Sequence, residues 1–206
     1  MPTERFRRLK EEKKTAVSSA VLSEFQESSY GEVRVSRIAG RARVSRESLY
    51  TYFLDKEDML LYALHQTWLS LLEYNKDNLL KNGGDFWSVM ALSFRYQMKL
   101  CKTNQIYRLI YLKKELLKCS CGGTFSKWKE RDFQNYKDWM YEHMEKGNLR
   151  SPSKEEADAM QESCQALIAV SVLESMYDIN GEDEIERSFK QQLLRIKDNY
   201  CILRKE

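Results

Sequence analysis

Between Ser45 and Phe53 the sequence crowds side chains that hydrogen-bond: Ser45, Arg46, Glu47, Ser48, Tyr50, Thr51 and Tyr52, broken only by Leu49. At about 100° per residue, Leu49 and Phe53 fall on one face of a helix. The opposite face carries Glu47, Ser48, Tyr50 and Thr51, flanked by Arg46 and Tyr52. Nothing there is bulky and apolar, so the face suits the donors and acceptors of base edges and the phosphates beside them. Bond-making chemistry has no comparable constellation. The two histidines, His65 and His143, stand in no metal or triad spacing, and no glycine loop could cradle a phosphate. Five cysteines, an odd number, point to free thiols. Cys119 and Cys121 form a C-x-C pair that supplies two ligands of an incomplete soft-metal or oxidation-sensing site. No enzyme, resident metal or cofactor is expected.

The elements that must position this face are short. Val35, Ile38, Ala39 and Ala42 recur at three and four residues, which predicts a helix ending near Arg41 or Ala42. Arg43 and Val44 leave no room for a free loop, and Ser45 is a good N-cap for the next helix. Two short helices at a tight turn make a helix-turn-helix, a geometry that lays the second helix in the DNA major groove.

The segment FQESSYGEVRVSRIAGRARVSRESLYTYFLDKEDML resembles the N-terminal domain of TetR-family transcriptional regulators. Phe25, Ile38, Ala39, Ala42, Val44, Ser45, Leu49, Tyr50, Tyr52, Phe53, Lys56 and Glu57 fall at matching positions. The resemblance implies that Arg46, Ser48, Tyr50 and Thr51 face bases or nearby phosphates, that Tyr52 and Lys56 hold the backbone, and that Leu49 and Phe53 are core. The full set expected at DNA is Arg34, Ser36, Arg37, Ser45, Arg46, Glu47, Ser48, Tyr50, Thr51, Tyr52 and Lys56. Three residues depart from the family pattern: Arg43 replaces the turn glycine, Glu47 replaces a glycine early in the recognition helix, and Arg34 replaces the Thr or Ser that caps the preceding helix. A positive φ at Arg43 would cost roughly 1–2 kcal/mol, and Glu47 could accept from cytosine N4 and alter specificity.

Charge and composition agree. The 206 residues carry a net charge of +3, and 42% are hydrophobic against 32% charged. Residues 1–56 hold 12 Lys and Arg against 8 Asp and Glu, and residues 57–206 hold 22 against 23, so the excess lies with the motif. No apolar run reaches the roughly 18 residues of a membrane span, and Met1–Lys14 lacks a signal-peptide core, so a cytoplasmic, non-membrane protein is expected. The opening run of Arg5, Arg7, Arg8, Lys10, Lys13 and Lys14 reads either as a solvated face or as an arm along phosphates, joined by Thr15. Val17, Ala20, Val21 and Phe25 stripe a first helix that completes a three-helix domain over residues 1–56. Asp55 caps a long helix to about Leu80, the lever by which residues 57–206 would move the recognition helix.

The rest reads as all α, about nine helices in total: Asp85 to about Lys102, Asn104 to about Leu117, Thr124 to Lys146 closed by Gly147, Ser153 to Tyr177, and a last helix after Gly181. Residues 85–146 hold 12 of the 24 aromatics. Tyr and Trp bring polar tips to apolar surroundings, and the TetR resemblance places effector pockets here. Trp68, Trp87, Tyr96, Tyr107, Tyr111, Trp128, Tyr136 and Trp139 are the candidate lining for a small apolar or aromatic effector. The helix from Ser153 is apolar on two faces: Ala157, Met160, Cys164, Leu167, Ile168 and Ser171 on one, Ala166, Ala169, Val170, Leu173 and Tyr177 on the other. With the final helix it resembles the pair through which TetR-family subunits dimerise, with Met160, Cys164, Leu167, Ser171, Phe189, Leu193 and Ile196 as the candidate interface. The leading expectation is a homodimeric, ligand-responsive regulator, a repressor as is commoner in the family it resembles, which leaves a pseudo-palindromic double-stranded DNA operator when the effector binds. The alternatives are a module of the same fold working through a protein partner, and a thiol- or metal-sensing regulator using Cys119 and Cys121.

Overall fold

The computed structural model describes residues 2–111, 122–177 and 181–202. Among these the chain is all α, with ten helices and one isolated antiparallel bridge, Leu149 to Cys201. The helices are α1 Glu4–Arg7, α2 Glu11–Glu27, α3 Val35–Ala42, α4 Arg46–Tyr52, α5 Lys56–Lys81, α6 Phe86–Thr103, α7 Gln105–Tyr111, α8 Gly122–His143, α9 Lys154–Met176 and α10 Glu182–Tyr200. They form two compact units: Met1–Leu69 with Thr103–Glu130, and Ser70–Lys102 with Arg131–Glu206. The first unit takes in residues of α5 and α7 along with the helix-turn-helix. The start of α5 packs with the head, and α7 packs against α2.

The first unit is built on the predicted stripes. Val17, Val21 and Phe25 of α2, Ile38 of α3, Leu49 of α4 and Phe53 after it are buried together with Leu60 and Leu64 of α5. The caps fall largely where expected: Ser45 accepts the Ser48 N–H at 3.1 Å, and Asp55 accepts the Asp58 N–H at 2.8 Å. The sequence reading missed α1. Its single apolar residue, Phe6, is 4% exposed and lies 5.3 Å from the Phe53 ring and 5.6 Å from the Tyr62 ring, centroid to centroid. Thr3 ties the same segment to the end of α4. Its N–H donates to the Tyr52 carbonyl at 2.9 Å and its hydroxyl to the Thr51 carbonyl at 2.7 Å.

In the second unit the ring of Phe94 on α6 stacks on Phe189 of α10 at 3.9 Å, and α9 and α10 pack side by side. Arg95 donates to Glu186 at 2.7 Å, and Lys102 pairs with Glu182. Lys137, buried on α8, reaches Glu162 of α9 at 2.5 Å. Gly84 follows α5 at φ +86, where an added Cβ would stand 2.9 Å from the Glu145 nitrogen, so only glycine fits. One expected end moves: α8 stops at His143, before Gly147.

Candidate nucleic-acid interface

α3 begins without the side-chain cap its first turn wants, because Arg34 at the N-cap has none to offer. Glu24 of α2 supplies it. This buried carboxylate accepts the Arg34 N–H at 3.0 Å and the Arg37 Nε at 2.7 Å. Burial alone would raise the Glu24 pKa, but the Arg34 N–H, the Arg37 hydrogen bond and the charges of Arg37 and Arg41 outweigh it and hold the carboxyl below its usual value. Arg37 also donates to the Glu32 carbonyl at 2.9 Å and to Ser28 Oγ at 3.2 Å. Its guanidinium is thus bonded to the frame behind α3, with the side chain 46% exposed. Sequence reasoning overlooked Glu24, although a lone carboxylate on the stripe of Val17, Ala20, Val21 and Phe25 was the available signal.

α3 ends at Arg43, which sits in the left-handed region at φ 52, ψ 44, the single positive-φ non-glycine among the described residues. The N–H of Val44 returns to the Ala39 carbonyl at 3.1 Å and that of Arg43 to Gly40 at 3.2 Å. The expected strain of roughly 1–2 kcal/mol is therefore present. Ser45 then starts α4, its hydroxyl 3.1 Å from that of Ser48.

α4 buries Leu49 and presents the predicted polar face. Arg46, Glu47 and Tyr50 are exposed, Ser48 and Thr51 half-buried, and Arg34, Ser36 and Ser45 exposed beside them. The Arg46 guanidinium lies 5.8 Å from the centre of the Tyr50 ring, and the Thr51 hydroxyl donates to the Ser48 carbonyl at 2.7 Å. The Glu47 carboxyl is held below its usual pKa by its own backbone N–H and by Ser45, so it is charged at neutral pH. Lys56, half-buried at the start of α5, sets its ammonium 4.4 Å from the centre of the Tyr30 ring. Tyr52 departs from expectation. At 4% exposure its ring is core, packed near Phe6, because the backbone of α4 turns position 52 inward with Leu49 and Phe53.

Residues 19–63, from α2 into α5, match the model of the bacterial regulatory proteins of the tetR family. The helix-turn-helix is of the TetR family. The whole chain has the TetR fold: it superposes on a TetR-family transcriptional regulator from Mesorhizobium loti with a TM-score of 0.66 at 17% identity, covering 97% of this chain and 100% of that one. FadR of Bacillus subtilis, solved with stearoyl-CoA, gives a TM-score of 0.57 at 16% identity, covering 88% and 96% of the two chains. RolR, solved with resorcinol, gives 0.54 at 15%, covering 90% and 87%. Among curated proteins none matches the sequence.

The aromatic candidates are divided between the two compact units. Trp68, Tyr107 and Trp128 belong to the first unit, with Trp128 4.9 Å from His65 and the Lys129 ammonium 4.8 Å from the centre of the Trp68 ring. The side chain of Tyr111 lies outside the described residues. Trp87, Tyr96, Tyr136 and Trp139 belong to the second. There Tyr96 stacks on Tyr74 at 3.9 Å, Trp139 stacks on His143 at 3.9 Å, and buried Tyr136 accepts from Asn75 at 3.4 Å. Trp87 borders a cavity of about 270 Å³ with Phe86, Met144, Leu149, Met160, Lys197 and Cys201.

Most of the residues expected at the dimer interface lie in this chain's own core. Met160, Cys164, Leu167, Ser171, Phe189 and Leu193 are buried within this chain, and Ile196 is half-buried. The second apolar face of α9 is the open one: Val170 is 55% and Tyr177 64% exposed, as is Leu194 of α10 at 58%. Burial pushes the Cys164 thiol up to about 12, which leaves it inert. Cys119 and Cys121 lie outside the described residues. Among those described, no group of three His, Cys, Asp or Glu could hold a metal, and no helix is long and apolar enough to cross a membrane.

Proposed function

We propose that this protein is a DNA-binding transcriptional regulator of the TetR kind, a homodimeric repressor released from a pseudo-palindromic operator by a small effector. The observation that carries the reading is the polar face of α4. A seven-residue helix fixed from behind by Leu49 and Phe53 holds Arg46, Glu47, Ser48, Tyr50 and Thr51 outward, inside the segment that matches the family. Arg46 suits guanine or phosphate, Ser48 and Thr51 suit either, and Glu47 suits cytosine N4. Arg34, Ser36, Ser45 and Lys56 lie beside them as backbone contacts. A single head reads one half-site, so two copies are required, and the exposed apolar residues Val170, Tyr177 and Leu194 are the self-complementary surface for pairing them.

The effector reading rests on the cavity bordered by Trp87. Phe86, Met144, Leu149 and Met160 give it apolar walls, and Asp85, Glu145, Asn148 and Lys197 add polar groups to orient a ligand. Its volume suits a small aromatic compound rather than a long acyl chain, and resorcinol bound to RolR is a ligand of that size. Footprinting on genomic fragments at low salt, including the region upstream of the protein's own gene, tests the DNA reading. A protected, roughly two-fold symmetric site is the expected result; no protected site would transfer the helix-turn-helix to a role with a protein partner.

A further inference from the structure

The cavity beside Trp87 touches the two helices that carry the uncovered apolar residues. Met160 of α9 and Lys197 of α10 line it, as does Cys201 just past the end of α10. On the exposed side of the same helix pair runs a groove of about 400 Å³, bordered by Ser163, Leu167 and Val170 of α9 and by Gln192 and Ile196 of α10. Met160 and Ser163 stand three residues apart, about 4.5 Å along α9, and Lys197 follows Ile196 directly. Cavity and groove are therefore two sides of one helix pair. The last turn of α10 is also fastened to the cavity wall. Asn148 and Leu149 line the cavity, the Asn148 carbonyl accepts the Ile202 N–H at 2.9 Å, and Leu149 pairs with Cys201. Arg150 completes the clip by covering carbonyls at the end of α10: its backbone N–H donates to Tyr200 at 2.9 Å, its Nε to Cys201 at 2.8 Å and its Nη2 to Asp198 at 2.8 Å.

We propose that a small neutral phenol in this cavity regulates the protein by weakening the pairing of its two copies through the last turns of α10; the inference rests on the proposed function. The charges around the space select the ligand. Asp85 and Glu145 line it against the single ammonium of Lys197, a balance that disfavours an anion. A phenol ring fits against Phe86, Trp87 and Met160, and its hydroxyl oxygen accepts from Lys197, whose ammonium lies 6.0 Å from the centre of the Trp87 ring. Drawing Lys197 inward turns the end of α10. Leu194, exposed one turn earlier on the same side, turns with it, and the clip from Asn148 to Arg150 passes any shift of the cavity wall to the same turn. A ligand that prefers the turned arrangement shifts the chain toward it and away from the paired form. One head reads one half-site, so weaker pairing alone lowers operator affinity. No movement of the recognition helix within a chain is required.

The test reads occupancy and pairing separately. Phenol binding is followed by quenching of Trp fluorescence, with benzoate as the charged comparison, and the dimer dissociation constant by sedimentation over a dilution series. Phenol should bind more tightly than benzoate and, at saturation, raise the dimer dissociation constant about tenfold. Linkage requires the reciprocal effect: Val170→Glu, which keeps the copies apart, should bind phenol more tightly than the parent. Arg150→Gln removes the side-chain half of the clip and should bind phenol as the parent does while losing most of the rise. A dimer dissociation constant that stays level or falls with phenol bound overturns the inference and leaves the cavity as an effector site. So does a rise in Arg150→Gln equal to the parent's, or benzoate bound more tightly than phenol. No quenching by either compound at millimolar concentration overturns the effector site and the inference together. A parent that sediments as a monomer throughout overturns the pairing on which both depend.

Discussion

Glu24 shows how one side chain can hold a reading surface it never touches. Its carboxylate serves both the N–H of Arg34, the N-cap of α3, and the Arg37 guanidinium, so Glu24→Gln keeps the shape but loses the charge-assisted bonds. That should cost about 1–3 kcal/mol at neutral pH in urea unfolding. The sign of the pH dependence follows from the lowered folded-state pKa. Stabilisation is fully present above the usual value near 4.5 and is lost as pH falls below it through the lowered folded-state pKa, so the parent and the Gln variant should converge in acid. A gap in stability that persists unchanged to pH well below 4.5 would assign the cost to packing instead. Local roles such as the Ser45 and Asp55 caps were legible in the sequence because cap and helix are adjacent. Glu24 was not, since its partner lies ten residues on and the two meet only when α2 packs on α3.

At the scale of elements, the two ends of the α4 to α5 passage should behave differently. Ser48→Ala and Thr51→Ala change groups that look outward from α4, and selection from a randomised duplex pool should show altered preferences at one or two positions. Lys56→Ala removes a cation that carries no sequence information, so it should weaken all duplexes alike and lower the salt slope by about one unit. Gly84 tests the joint between α5 and α6. Gly84→Ala combines a left-handed backbone with a Cβ 2.9 Å from the Glu145 nitrogen and should cost about 2–4 kcal/mol in thermal or urea melts. The longer helices were legible from periodicity. α1 was not, because four residues with one apolar member carry no period, and only the aromatic surroundings of Phe6 explain it.

For the molecule as a whole, the doubly apolar α9 called for cover on two sides without saying what would lie on which. The chain's own core took the face of Met160, Cys164 and Leu167 and left Val170 and Tyr177 uncovered. Val170→Glu should therefore give a folded monomer with weakened operator binding, seen in light scattering with an unchanged circular-dichroism spectrum. Leu167→Glu, at 8% exposure, should instead destabilise the fold by several kcal/mol, about 3–5 by analogy with other uncompensated buried charges. The aromatic-rich stretch was equally visible in sequence, but its rings went to two units because neighbours along the chain are not neighbours in space.

The tie from Thr3 to Thr51 spans 48 positions, and it sets an order of events during synthesis. Phe6 leaves the ribosome long before the Tyr52, Phe53 and Tyr62 rings that receive it, so the first turn of the chain waits, undocked, until α4 and the start of α5 have emerged. Only then does closing the loop repay its entropy. The last turn of α4 and the first turn of the chain are thus finished in one step, and a bulky fusion placed just ahead of Thr3 would act on that step as a brake.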